Sequence, residues 1–329
     1  MTPLFGKKKG AQQERTVLIL DIENGSAGSA LVRVSPGKQP KLFGEIRGYT
    51  PLGFRVTGAT LSGDIERAAT SAIRNAGAVA GRLRNTTAGE ARTKELRDMG
   101  TIDTVAVFLA PPWGKPNLEA GQPDFMPEMS QYLRTELQSV VDDAPVSFYT
   151  AAGAAAFGTR ALFAPEPCLV CSVTGEVSEL LRMDGHGVRA HATIPTGLHS
   201  LLRTLRTHGG LSEEEARSVA KLPFNTGHPA AEAARSAASE FAGHFKDAAK
   251  ELLGPGDVLR VRIIAHEPAG EWFAQALSAD ESLSELFPHG GEVRAVRSHH
   301  LTPHIEARAE TPDLALLLEA LFVDNHFNN

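Results

Sequence analysis

Apolar and polar positions fall into two stretches with the same rhythm. Near the N-terminus, an apolar β-branched run at residues 16–22 enters a small polar turn and leaves as a second apolar run, TVLILDIENGSAGSALVRV. About half a chain later CLVCSVTGEVSELLRM repeats it, with 168–173 entering, 174–176 turning and 177–183 leaving. Apolar flanks around small turn residues predict a β-hairpin in both places. A strand at 41–49 follows the first hairpin. A helix at about 61–85 comes next, with Ile65, Ala69, Ala72, Ile73, Ala76, Val79, Ala80 and Leu83 recurring near helical period. A second helix is predicted at 88–99. A strand at 103–109 stops at Pro111-Pro112, and 114–122 reads as a loop. Helix 127–141, strand 146–149 and helix 151–163 complete a βββ-α-β-α-β-α order.

The second half repeats that order with extra helix inserted. A third strand at 188–194 leads to helices at 197–207 and 212–221; Ser212 with Glu215 forms a capping box that starts the latter. A loop at 223–228 precedes a long helix at 230–253, ended by Gly254-Pro255-Gly256. Strand 258–265, helix 270–278, strand 292–297 and helix 312–322 follow. The last of these is apolar on every face, which predicts a buried helix. A repeated unit is more diagnostic than one hairpin. Consecutive backbone N–H groups in a Gly-rich turn form an anion-binding concavity, so two such hairpins facing each other suit a polyphosphate held between two halves. That is the layout of the actin/Hsp70/sugar-kinase superfold. The predicted class is α/β: a two-lobed actin-like ATPase fold, each lobe ribonuclease H-like. Residues 1–15, with Lys7, Lys8 and Lys9, read as a flexible basic arm, 16–164 as the first lobe and 165–329 as the second, with a hinge near 164–167.

Composition narrows the function classes. The 329 residues are 42% hydrophobic, enough for a large bilobed core. A formal net charge of -6 argues against a nucleic-acid partner. No apolar run approaches the ~20 residues of a membrane span, and the N-terminus lacks the apolar middle of a secretory signal; a cytoplasmic location is expected. The two cysteines, Cys168 and Cys171, have CxxC spacing, but on a strand positions i and i+3 point to opposite faces, so both read as core residues. His299, His300 and His304 read as a polar loop facing the cleft between the lobes, and no metal ligand is assigned. Trp113, in a Pro/Gly loop, is a candidate partner anchor.

The sequence resembles the bacterial actin-like proteins of the PilM type, relatives of the division protein FtsA. The resemblance rests on the LFGKKK arm, on DIENGSAGSALVRV and VTGEVSELLRMDGHGV, and on HATIPTGLHSLLRTL and LSEEEARSVAKL. It implies a cytoplasmic component, peripheral at the inner face of the cell membrane, of the type IV pilus assembly platform. The implied partner is the cytoplasmic tail of a membrane-anchored protein of the PilN type, with self-association also possible. The subdomain that FtsA-like members insert in the first lobe looks small or absent between residues 51 and 146.

The resemblance also implies a nucleotide site, with Asp21, Gly25, Ser26, Thr174, Gly175 and Glu176 around the phosphates if the site functions with ATP and Mg²⁺. Three departures oppose that. Glu23 stands where the family's Asp-x-Gly has the glycine that lets phosphates approach, and its charge repels them. The second Asp-x-Gly is Ser172-Val173-Thr174 here, and a serine does not balance Mg²⁺ as a carboxylate does. The Gly-Gly pair expected near the adenosine is His266-Glu267-Pro268. The expectation is a pseudo-ATPase scaffold with no cofactor favoured and no catalytic residue. The alternative is a nucleotide-dependent actin-like ATPase that polymerises or switches conformation. A small-molecule kinase of the same superfold lacks an identifiable acidic base.

Overall fold

The computed structural model describes residues 14–50, 63, 66–75, 102–118, 123–138, 141, 144–163, 166–222, 230–254, 260–266, 268–286, 291–307 and 309–328. The arm before residue 14, most of the helix at 61–85, the helix at 88–99, the loop at 223–228 and the residues that would carry an inserted first-lobe subdomain lie outside them.

Two five-strand motifs with one strand order account for the sequence repeat. β1 (Arg15–Ile22), β2 (Ser26–Val34) and β3 (Lys41–Tyr49) form an antiparallel meander; β4 (Thr104–Leu109) and β7 (Val146–Thr150) add in parallel on the far side of β1. The second sheet orders β10 (Gly187–Ile194), β9 (Ser178–Asp184), β8 (Cys168–Val173), β11 (Arg260–Ile264) and β12 (Glu292–Ala295) in the same way. The short strand β13 (Glu306–Ala307), from the second half of the chain, extends the first sheet by pairing with Lys41 and Leu42 of β3.

β1 is buried on both faces and so reads as a continuous apolar run. Its two faces serve two cores. Leu18, Leu20 and Ile22 pack outward with the helical segment 66–75 (α1) and with α2 (Pro127–Gln138). Val17 and Ile19 pack inward against α3 (Ala151–Leu162) and α8 (Leu314–Asn328), whose other side meets Val170, Leu181 and Ile264 of the second sheet. Those two helices are the shared middle layer. Close approach inside it is set by small residues: a Cβ on Gly158 would overlap Leu318. As expected from its all-round apolarity, α8 is buried, and it carries residues 314–328 back onto the first lobe's sheet. The outer face of the second sheet is covered by α4 (Leu198–Gly209), α5 (Glu213–Val219), α6 (Ala231–Leu252) and α7 (Ala269–Ala279).

The Ser212 capping box is present: Ser212 Oγ accepts from Glu215 N at 3.3 Å, and Ser212 N donates to Glu215 Oε2 at 2.8 Å. Cys171 and Cys168 fall in cores on opposite faces of the second sheet, as the strand period requires, and both are free thiols.

Two expectations need correction. The stretch 114–122 begins with a strand, not a loop: β5 (Gly114–Lys115) pairs with β6 (Asp124–Phe125). That hairpin folds back under the first sheet and takes Trp113 with it. Trp113 is 3% exposed, among Leu109, Leu133 and Phe125, so it is a core residue and not an exposed anchor.

Candidate functional site

Both Gly-containing turns lie at the same edge of the molecule and touch. A Cβ built on Gly25 would lie 2.6 Å from Gly175 Cα, and one on Gly175 would lie 2.5 Å from Gly25 Cα. Neither glycine has positive φ; those among the described residues are Gly37, Gly44, Gly187 and Gly210. Glycine is required here by backbone-to-backbone approach across the cleft.

Asn24 stitches this contact. It is fully buried; its Nδ2 donates to Pro111 O at 2.8 Å and to Thr174 Oγ1 at 2.9 Å, and its Oδ1 accepts from Glu176 N at 2.5 Å. A turn amide that would face an anion therefore faces a side-chain oxygen of the other lobe. The N-terminus of α4 is similarly committed, with Leu198 N donating to Thr174 O at 2.8 Å and His199 N to Gly175 O at 2.7 Å. Glu176 turns away from the cleft contact. Arg203 Nη1 and Nη2 grip it at 2.9 and 2.5 Å, and His199 Nδ1 lies 3.0 Å away. Burial opposes the charge of Glu176, but these hydrogen bonds outweigh it and lower its pKa to about 2.

A second, charged constellation lies beside the first. Asp21, Gly28 and Arg47 occupy one row across β1, β2 and β3. A Cβ on Gly28 would come 2.9 Å from Arg47 Nη2, so the glycine leaves the path by which the guanidinium crosses β2 to Asp21 Oδ2 at 2.6 Å. A bulge at Gly44, with φ 63°, shifts the register that brings Arg47 into this row. Arg47 also holds Asp313 at 2.6 Å (Nε to Oδ2) and 3.0 Å (Nη2 to Oδ1), and donates to Ser26 Oγ at 2.8 Å. Asp313 opens α8 by accepting from Leu316 N at 3.1 Å. From the second lobe, His266 Nε2 reaches Glu23 Oε2 at 2.7 Å.

Burial pushes the Asp21 carboxyl up to about 6, the Glu23 charge adds to this, and Arg47 only partly compensates. Burial opposes ionisation of Glu23 and Asp313 too, but His266 and Arg47 overcome it and both carboxyls are lowered. Burial drives Glu319 of α8 well above its ordinary range, and the neighbouring Asp21 charge adds to it, so it is neutral. Ser172 faces a cavity of about 20 Å³ with Glu23, His266 and Glu319, and carries no carboxylate into it. A larger cavity of about 420 Å³ opens on the other side of His266, lined by Tyr49, Leu198, Glu213, Arg217 and Lys221 among others.

All six residues expected around phosphates are thus brought to one place. Asn24, Arg47, His199, Arg203, Asp313 and Glu319 join them without having been singled out. Asn24 carried a signal, as the residue before Gly25 in the turn. His199 and Arg203 carried another, at i and i+4 on one helix face. Among the described residues no group of three or more His, Cys, Asp or Glu is placed to hold a metal. His300 packs edge-on against Phe163 at 6.1 Å.

No protein-family model and no curated protein matches the sequence. Solved structures do match. The PilM-PilN type IV pilus biogenesis complex is similar with TM-score 0.58 and 13% identity, over 97% of this chain and 100% of that one. Ethanolamine utilization protein EutJ from Carboxydothermus hydrogenoformans follows with TM-score 0.52 and 15% identity, over 93% and 88%. A ROK family glucokinase from Streptomyces griseus, solved with glucose and AMPPNP, has TM-score 0.51 and 14% identity, over 94% and 99%. At these identities the likeness is one of fold. The chain has the two-lobed actin-like ATPase fold that its repeated hairpins predict.

Proposed function

We propose that this chain is a non-catalytic actin-like scaffold, closed across its cleft by its own side chains, that serves type IV pilus assembly or a related cell-envelope machine at the inner face of the membrane. The observation that carries this reading is Asn24, whose amide joins the two hairpins where the fold would seat phosphates.

The residues present do not fit a magnesium nucleotide. The Gly25–Gly175 contact leaves no gap between the turns. The Glu176 amide already has a partner, Glu23 is buried and ionised, and Ser172 supplies no charge to balance a divalent cation. A phosphate entering here would have to break the Asn24 bonds and lie beside buried Glu23, at a cost of several kcal/mol. Support for the envelope assignment is the end-to-end likeness to the PilM-PilN complex, which suits a PilN-type partner presenting a short cytoplasmic segment. No helix among the described residues is long and apolar enough to cross a membrane.

Crosslinking in cells followed by purification from membranes tests the assignment. Enrichment of a single-span membrane protein with a short cytoplasmic N-terminal segment is the expected result. Recovery of soluble partners alone counts against it. One observation favours the second reading, a nucleotide-switched ATPase: the 420 Å³ cavity beside His266 has room for a small ligand. Saturable stabilisation by ATP and Mg²⁺ would select that reading.

A further inference from the structure

His266 is the residue through which the second lobe enters the charged constellation of the first. It follows β11, and its Nε2 lies 2.7 Å from Glu23 Oε2 and 3.4 Å from Ser26 Oγ, while its Nδ1 lies 3.9 Å from Asp313 Oδ2. The ring of Tyr49 meets it edge-on at 6.0 Å. The groups around it come from every neighbouring element: Asp21 and Glu23 from β1 and its turn, Arg47 and Tyr49 from β3, Asp313 and Glu319 from α8. At the mouth of the large cavity Glu213, Arg217 and Lys221 of the α5 region face it. Arg217 is engaged by Glu213 at 2.9 Å, which limits its influence on the imidazole.

We propose that the Glu23–His266 pair is a proton-operated latch that holds the two lobes together across the cleft, so that a proton does in this chain what a bound ligand does in a cleft that opens and closes. It goes beyond the scaffold reading and does not depend on it, because no nucleotide takes part.

The charges explain why the proton matters. Glu319 is neutral, and Arg47 sets its one positive charge against Asp21 and Asp313, each 2.6 Å away, with Glu23 further off at 3.9 Å. Protonated His266, 2.7 Å from Glu23, supplies the charge opposite that carboxylate. Without its proton, Glu23 is left buried with a neutral partner and Asp21 beside it, and a buried uncompensated charge draws in water. The 420 Å³ cavity ends on His266 and supplies the route.

The direction follows from the environment. Burial alone would lower the pKa of His266, but the Glu23 carboxylate raises it above the ordinary 6.5. A group with a raised folded pKa contributes stability that is complete below its unfolded value and is lost as pH rises through the folded value. Asp21 acts in the same sense at lower pH, between its ordinary 3.8 and about 6. The latch is therefore shut on the acid side and released as pH rises past the raised value of His266. Asn24 is neutral and holds its side of the cleft at either pH.

The test is a histidine-ring NMR titration of the full chain, with His266 assigned by its loss in His266→Gln. It is combined with hydrogen exchange of residues 23–26 and 260–266, corrected for the intrinsic pH dependence of exchange. The wild type should titrate His266 above 6.5, and its corrected exchange in both segments should rise about tenfold per pH unit above that point. Glu23→Gln should bring the titration to 6.5 or below. His266→Gln, which keeps a donor toward Glu23 without a titrating proton, should abolish the rise in exchange. A wild-type titration at or below 6.5, or an identical exchange rise in His266→Gln, overturns the latch. If Glu23→Gln does not fold, the wild type and His266→Gln decide alone. Failure of the latch leaves the nucleotide question untouched, because that question is answered by ligand addition at fixed pH.

Discussion

Replacing Asn24 by alanine should cost the protein about 3 kcal/mol. The side chain is fully buried and makes hydrogen bonds to Pro111 O, Thr174 Oγ1 and Glu176 N. Each contributes about 1 kcal/mol net, and the cost grows where a buried partner is left without a substitute. Thr174 Oγ1 keeps its own donation to Val177 O at 2.7 Å, so its loss is the mildest. The Glu176 N–H and the Pro111 carbonyl lose their Asn24 partner, which places the sum near ~3 rather than ~1 kcal/mol. That is a large share of the ~5–15 kcal/mol by which a domain is stable. Urea unfolding followed by circular dichroism measures it, with each lobe's transition fitted separately if the two diverge. A loss below about 1 kcal/mol, well short of three buried hydrogen bonds, would refute the bridge between the hairpins, since an Asn24 facing water would be nearly neutral to truncation.

Three further substitutions test the surrounding geometry. Gly28→Val places carbon in the path of Arg47 and should cost about 3 kcal/mol by unpairing buried Asp21; unchanged urea midpoints would contradict the row across β1–β3. Gly175→Ala forces backbone apart at a contact that a Cβ would narrow to 2.5 Å, and should lower stability by about 1–3 kcal/mol; a variant melting like the parent would show that the turns do not touch. Trp113→Ala empties a core position and should destabilise the first lobe by about 3–5 kcal/mol, read by thermal or urea melting. A Trp113 variant of unchanged stability would restore the exposed-loop expectation.

Element order, hairpins and the repeat were legible because they are local: apolar runs, small turns and caps act within a few residues. The α8 helix was legible for the same reason, its apolarity on all sides requiring burial. What joins the lobes was not. Gly25 and Gly175 were recognisable as turn residues, yet the reason they must be glycine is their contact with each other, across 150 positions of sequence. Arg47 sits in a strand whose polar residues look like a solvated edge, and only the pairing with Asp21 and Asp313 makes it buried. Trp113 was misread because its flanking prolines and glycine resemble a surface loop. The short β5–β6 pairing that folds it inward has too few residues to show a period of two. Glu23 and His266 were noted for what they would exclude, whereas the structure pairs them with each other.

The most direct test of the closed, self-occupied cleft is calorimetric titration and thermal melting with ATP and Mg²⁺ at fixed pH. A ligand at a hundred times its dissociation constant, bound only to the folded state, would add about 2.7 kcal/mol of stability. With Asn24 bridging Pro111, Thr174 and Glu176, the account predicts no binding heat and no saturable rise in melting temperature up to millimolar nucleotide. A saturable rise, removed by chelating the magnesium, would contradict it.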